Sequence, residues 1–221
     1  SAEDIVDRIE YLQKNYNANS FWFIDEDFFL NKKRLLQFLD LIEKRNLHFY
    51  WRASLRVNYF NDDYITVNLA KRLEKNGLVI AVMGAECGSQ RMLDYINKGI
   101  NVENTLRSAE VLSKTDILAK YSFIVGLPSE TKEDLRDTYR LVLKIAKIKK
   151  NHDLVIFPFR PYPGSPIYED AKEKYTIYEP SRLEDWANNE DYSEASGYIT
   201  YKKNSWFPDY KEYEQLKFIK A

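Results

Sequence analysis

The chain has a single cysteine, Cys87, and only two histidines, His48 and His152, among its 221 residues. One thiol excludes an internal disulfide, which suits a reducing compartment, so a cytoplasmic protein is expected. One thiol and two imidazoles also fall short of a self-contained zinc or iron–sulfur site, so no metal ligand is assigned. No apolar run approaches the roughly 20 residues that cross a bilayer, and no membrane partner is expected. The opening residues Ser1-Ala2-Glu3 lack Met and do not read as a signal peptide, so a cloning remnant or an internal boundary is expected there. Charge is also balanced: 33 basic and 34 acidic residues leave a net charge of −1. No global field therefore draws nucleic acid or an anionic surface. The basic cluster Lys144, Lys147, Lys149 and Lys150 falls at the end of a predicted helix, where it complements the helix dipole. No phosphate-binding P-loop and no dinucleotide glycine fingerprint occur.

What is present is an alternation of helical and strand patterns in a chain long enough to bury a large core. Ile5, Val6, Ile9, Leu12 and Tyr16 predict an opening helix. Asn19 to Ile24 reads as a strand, Leu35 to Ile42 as helix, and Leu47 to Trp51 as strand. Asn61 is the expected cap of a helix running to Lys75, ended by Asn76-Gly77. Leu78 to Met83 follows as strand, then helices over Ser89 to Asn97 and Val102 to Ser113, the second capped by Asn101. Ile117 to Val125 is strand, Lys132 to Lys149 helix, and Leu154 to Phe159 strand. The intervals between strands are too long for hairpins, so parallel strands with right-handed crossovers are expected. A repeating β/α fold that opens on a helix is expected to have been cut after its first strand, the alternative being a fold that starts on a helix. From residue 169 to 221 the periodicity weakens, predicting an appended lid or packing tail after a core of residues 1–168.

Polar residues recur where these strands end. The set is Asp25, Glu26, Asp27, Arg52, Arg56, Glu86, Glu130 and Arg160, with Gly84, Gly126 and Gly164 close by. In parallel α/β folds such strand ends build ligand sites. Carboxylates there can accept hydrogen bonds from ribose hydroxyls or an ammonium, and arginines can fork onto a carboxylate. The mixed signs favour a zwitterionic or nucleoside-like ligand over a polyphosphate. Glu130 reads as an acid stabilising the N-terminus of the following helix. Cys87, with no histidine near it in sequence, reads as a buried turn residue, and both histidines as structural.

Three segments carry a resemblance: Phe23-Ile24-Asp25-Glu26-Asp27-Phe28, Gly84-Ala85-Glu86-Cys87-Gly88-Ser89, and Phe123-Ile124-Val125-Gly126-Leu127-Pro128-Ser129-Glu130-Thr131. With Lys98-Gly99 and the Pro-Tyr-Pro-Gly-Ser-Pro-Ile-Tyr run at 161–168, they resemble the radical S-adenosylmethionine (SAM) superfamily over roughly residues 1–170. The likeness is to the branch that often carries an upstream cobalamin-binding domain. It implies an α/β fold of parallel strands, a partial (β/α)6 TIM-like barrel with SAM across the strand ends. It also implies a [4Fe–4S] cluster in the full-length protein, bound by a Cys-x3-Cys-x2-Cys loop absent from this chain. Cys87 stands at the Ser position of the family's Glu-Ser-Gly turn.

The function the resemblance implies is reductive cleavage of SAM to a 5′-deoxyadenosyl radical, acting on a small organic substrate with a reductant protein as electron source. The fragment alone is then expected to be inactive. The alternatives are a degenerate, non-catalytic nucleoside- or substrate-binding barrel, and a hydrolytic barrel using Asp25 and Glu86 as a carboxylate pair. By the same resemblance, Asp25 and Glu26 meet the methionyl amino group, Arg52 or Arg56 its carboxylate, and Glu86 the ribose hydroxyls. Ile124, Gly126 and Leu127 flank the adenine.

Overall fold

The computed structural model describes residues 1–159 and 162–175, with isolated positions 182 and 184. Arg160 and nearly all of the expected C-terminal appendage lie outside the described residues. The elements are α1 (Ala2–Tyr16), β1 (Ser20–Trp22), α2 (Lys32–Arg45), β2 (Tyr50–Ser54), α3 (Val67–Lys75) and β3 (Leu78–Glu86). There follow α4 (Gln90–Tyr95), α5 (Val102–Leu112), β4 (Leu118–Val125), α6 (Lys132–Ile148), β5 (Asp153–Pro158) and α7 (Pro166–Lys174), the last running across residue 168.

The five strands form one sheet in the order β1-β2-β3-β4-β5. Every neighbouring pair is parallel, with Trp22 opposite Arg52, Ser54 opposite Val82, Val82 opposite Lys120 and Lys120 opposite Asp153. Sequential parallel strands joined by helices place those helices on one side of the sheet, and the alternation along β4 records it. Ala119, Tyr121, Phe123 and Val125 are buried, while Leu118, Lys120, Ser122 and Ile124 are only partly covered. The half-open face also holds Arg52, Ser54, Val82 and Gly84, and Lys120 pairs across it with Asp153 at 3.2 Å. Fully parallel sheets ordinarily cover both faces, so a half-open polar face is what the interior of an incomplete barrel presents. Among the described residues the sheet does not close on itself. No described helix is long and apolar enough to cross a membrane.

Local chemistry explains most boundaries. Ser1, Asn101 and Thr131 each form a reciprocal capping box with the residue three positions on, and Asn31 and Ser89 cap α2 and α4. Several boundaries shift; the strand predicted over Leu78 to Met83, for one, runs on to Glu86. The helix predicted from Asn61 starts at Val67 under a Thr66 cap, after a 3₁₀ turn at Val57–Tyr59. Asn61 spends its side chain on the turn, donating to the Asn58 carbonyl and accepting from the Asp63 N–H. The strand predicted over Leu47 to Trp51 begins at Tyr50, because Leu47 closes α2: its N–H bonds the Ile42 carbonyl beyond a left-handed Asn46.

The core beneath β1 and β2 is aromatic. Trp51 is fully buried, its ring within 5.5–6.2 Å of those of Phe23, Phe28, Phe29 and Phe38, and its indole N–H donates to the Asn76 carbonyl at 2.8 Å. Phe28 and Phe29 fix the turn after β1, so the residues just before them are presented at the strand ends.

Candidate functional site

At the end of β1, Asp25 and Glu26 are exposed, and Ile24 is 80% exposed. They sit on a turn held from below by Phe28, whose N–H bonds the Ser54 carbonyl at 3.2 Å. Asp27 is separate from them: one carboxylate oxygen accepts from the Tyr59 hydroxyl at 2.5 Å, and Oδ1 is buried without a partner. Burial and this carboxylate together push the Tyr59 phenol up to about 12.

The two arginine candidates occupy different places. Arg52 lies within β2, not beyond it, and its guanidinium stacks 3.5 Å over the Trp22 ring. Arg56 follows the strand, and its Nη2 donates to the Lys98 carbonyl at 2.6 Å.

Glu86 ends β3. The register with β4 shifts between Gly84 and Glu86, and Glu86 adopts φ 62°, a left-handed conformation uncommon for a residue with a side chain. The bulge turns its carboxylate back over Gly84. A Cβ at residue 84 would lie 2.2 Å from Glu86 Oε1 and 3.2 Å from Lys98 Nζ, so glycine is needed there to seat the pair. The Lys98 ammonium donates to Oε1 at 2.5 Å, and Glu86 is 8% exposed. Among the described residues no hydrogen bond reaches Oε2, which is not among the buried unpartnered atoms and therefore stays reachable.

The rest of this motif is scaffold. The Gly88 N–H donates to Thr138 Oγ1 at 2.9 Å, and Ser89 donates to Asp134 at 2.5 Å, tying the turn to α6. Burial alone would raise the Asp134 carboxyl, but hydrogen bonds from Arg91, Ser89 and Thr131 outweigh it and hold the group well below the usual range. Cys87 is fully buried, and desolvation pushes its thiol up to about 12, the opposite of an activated nucleophile. His152 is buried edge-on to Tyr121, and desolvation lowers it, as a structural histidine requires; His48 is exposed.

At the end of β4, Ile124 is half-buried, Gly126 turns the chain at φ 78°, and the Leu127 side chain is buried in the core. At 2% exposure for the whole residue, Leu127 offers a ligand almost no surface, backbone included. Glu130 does not cap the next helix, a task performed by Thr131. It folds back instead, accepting the Gly126 N–H on Oε2 at 2.6 Å, with Oε1 buried and unpartnered. Burial raises this carboxyl to about 7.

The structure thus links Glu86, Lys98 and Arg56, sets the Gly126 turn on the adjacent strand, and leaves Asp25 and Glu26 across β2 from them. Lys98 was legible only as part of a motif. Its partner Glu86 lies 12 residues earlier, and neither periodicity nor spacing announces the contact.

A family model described as the radical SAM superfamily matches residues 1–142. An uncharacterized methyltransferase of Pyrococcus horikoshii is 33% identical over 172 residues, 77% of this chain and 35% of that protein. An anaerobic magnesium-protoporphyrin IX monomethyl ester cyclase of Rubrivivax gelatinosus is 28% identical over 175 residues, 79% of this chain and 30% of that protein. The chain spans about a third of the length of these curated relatives. Among solved structures, the radical SAM methyltransferase TsrM of Kitasatospora setae, with cobalamin and a [4Fe–4S] cluster bound, superposes with a TM-score of 0.65 at 16% identity. That match covers 79% of this chain and 32% of TsrM.

Proposed function

The chain belongs to the radical SAM superfamily, and from that premise we propose that it is the SAM-binding core of an enzyme acting in the cytoplasm on a small organic molecule. The observation that carries the reading is the end of β3, where a glycine, a bulge and a half-buried ion pair hold one carboxylate with an oxygen that is not fully enclosed. The residues present fit SAM. Glu86 would accept the ribose hydroxyls. The Gly126 turn, with Ile124 beside it, would flank the adenine, with Leu127 packed behind the turn. Asp25 and Glu26 would receive the methionyl ammonium, and Arg52 or Arg56 its carboxylate. Arg56 already gives Nη2 to Lys98, whereas Arg52 makes no such bond among the described residues and is stacked on Trp22. When bound, SAM supplies the sulfonium carbon–sulfur bond that the family cleaves reductively.

The family's [4Fe–4S] cluster does not fit these residues. The one thiol is buried and disfavoured as a thiolate, and no three His, Cys, Asp or Glu side chains converge among the described residues. Its ligands would come from residues other than these 221, as would a cobalamin domain. In this reading a reductant protein supplies the electron to the assembled enzyme, and the 221 residues alone perform no turnover. The substrate-facing surface would be the half-open sheet face, where Arg52, Ser54, Lys120, Ser122 and Asp153 offer polar contacts. The cyclase acting on a protoporphyrin ester and the methyltransferase TsrM support an organic substrate and do not select one.

Equilibrium dialysis with SAM tests the reading. Saturable binding by the wild type is expected, weakened about tenfold in Glu86→Gln, the effect of one charge-assisted hydrogen bond. No saturable binding, or binding indifferent to that substitution, would overturn it.

A further inference from the structure

Lys98 has no role in the recognition just described, yet both its backbone and its ammonium are held in place at the strand ends. Its backbone is held twice: its N–H bonds the Leu93 carbonyl at 3.1 Å, and its own carbonyl receives Arg56 Nη2 at 2.6 Å. The turn closes at Gly99 with φ 65°, and α4, which leads into it, is anchored by buried Met92 and Leu93. From this fixed point the ammonium reaches Glu86 Oε1 at 2.5 Å in the space that Gly84 leaves open.

We propose that Lys98 is a positioning residue that fixes the rotamer of Glu86 for a vicinal diol, and so makes the strand ends selective for ribonucleosides over 2′-deoxyribonucleosides. The inference rests on the reading of Glu86 as the ribose contact. A carboxylate offers about four lone-pair sites. Lys98 occupies one on Oε1 and leaves the second site of that oxygen and both on Oε2. Two neighbouring hydroxyls can then be received together, provided the carboxylate plane does not turn. A free glutamate would turn about its terminal torsion, which is broad and weakly restrained. Ammonium attachment removes that freedom before the ligand arrives, the preorganisation that favours both hydroxyls being met at once. Arg56 acts one step further out, by holding the carbonyl of the residue that holds Glu86.

The test is calorimetric titration with S-adenosylhomocysteine and its 2′-deoxy analogue against wild type, Lys98→Met, Lys98→Gln and Lys98→Arg, with thermal melts as the folding control. The wild type should prefer the ribonucleoside about tenfold, the value of one hydrogen bond to a charged group. Lys98→Met and Lys98→Gln should reduce that preference to about twofold while barely changing affinity for the deoxy analogue, and Lys98→Arg should restore most of it. If wild type binds neither compound, the ribose reading fails and takes this inference with it. If wild type discriminates and both neutral variants discriminate equally well, the inference alone is overturned. If both neutral variants fail to fold, Lys98 is a structural residue, and the inference is likewise overturned.

Discussion

Replacing Glu130 by Gln isolates one buried carboxyl and asks how much it costs the fold to ionise it. Glu130 accepts the Gly126 N–H and leaves its second oxygen buried and unpartnered. Burial is the largest influence on it and raises it from 4.5 to about 7. The folded state therefore holds the proton more tightly than the unfolded chain does. The stability this group contributes is fully present below about pH 4.5 and is lost as pH rises through about 7. A shift of about 2.5 units at roughly 1.4 kcal/mol per unit gives about 3 kcal/mol, and partial contact of the side chain with water reduces this to about 2 kcal/mol. Glutamine keeps an oxygen for the Gly126 N–H and carries no charge. Urea unfolding of wild type and Glu130→Gln at intervals from pH 5 to 8 measures the difference directly. Other titrating groups, His152 included, are common to both proteins and cancel. The variant should gain most of about 2 kcal/mol on wild type between about pH 5 and 7 and little more from pH 7 to 8, because the difference develops between the unfolded and folded values of the carboxyl. A difference that stays flat with pH would refute the claim that the carboxyl is held away from water.

Three further outcomes follow from the same geometry. Gly88→Ala places a Cβ 2.3 Å from the Asp137 carbonyl oxygen and 2.6 Å from Thr138 Cα, both backbone atoms of α6, and should lower stability by about 2–3 kcal/mol in denaturant titration. Asp134→Ala removes the acceptor shared by Ser89, Arg91 and Thr131 and should cost about 3 kcal/mol, with the loss shrinking when wild type is measured in strong acid. Cys87 should resist a thiol reagent in the folded protein and react at once in denaturant, and iron and sulfide added to this chain should leave no cluster absorbance; rapid native labelling would contradict the burial described here.

Much of the fold is legible in the sequence because its signals are local. Asn101 is read as a cap because it carries a side chain that bonds the backbone three residues on, with no help from the rest of the chain. The same locality misleads at Asn61, since an asparagine that can cap a helix can equally close a turn, and tertiary packing of the Val57–Tyr59 segment decides which. Leu47 is read as strand because it is apolar, whereas its place is the apolar residue after a left-handed helix end. In the site, strand-end position alone singles out Glu86 and Gly126. The Lys98–Glu86 bond, the diversion of Arg56 to a carbonyl and the folding back of Glu130 onto Gly126 depend on how the turns between elements are packed. No periodicity encodes that.

In the proposed function SAM lies across the ends of β1 to β4. The most direct measurement is an amide chemical-shift map of the isotopically labelled chain titrated with S-adenosylhomocysteine. Saturable shifts are predicted at Gly84, Glu86, Lys98, Gly126 and Leu127, with smaller ones at Asp25 and Glu26. Shifts confined to the opposite ends of the strands, or none at saturating ligand, would contradict it.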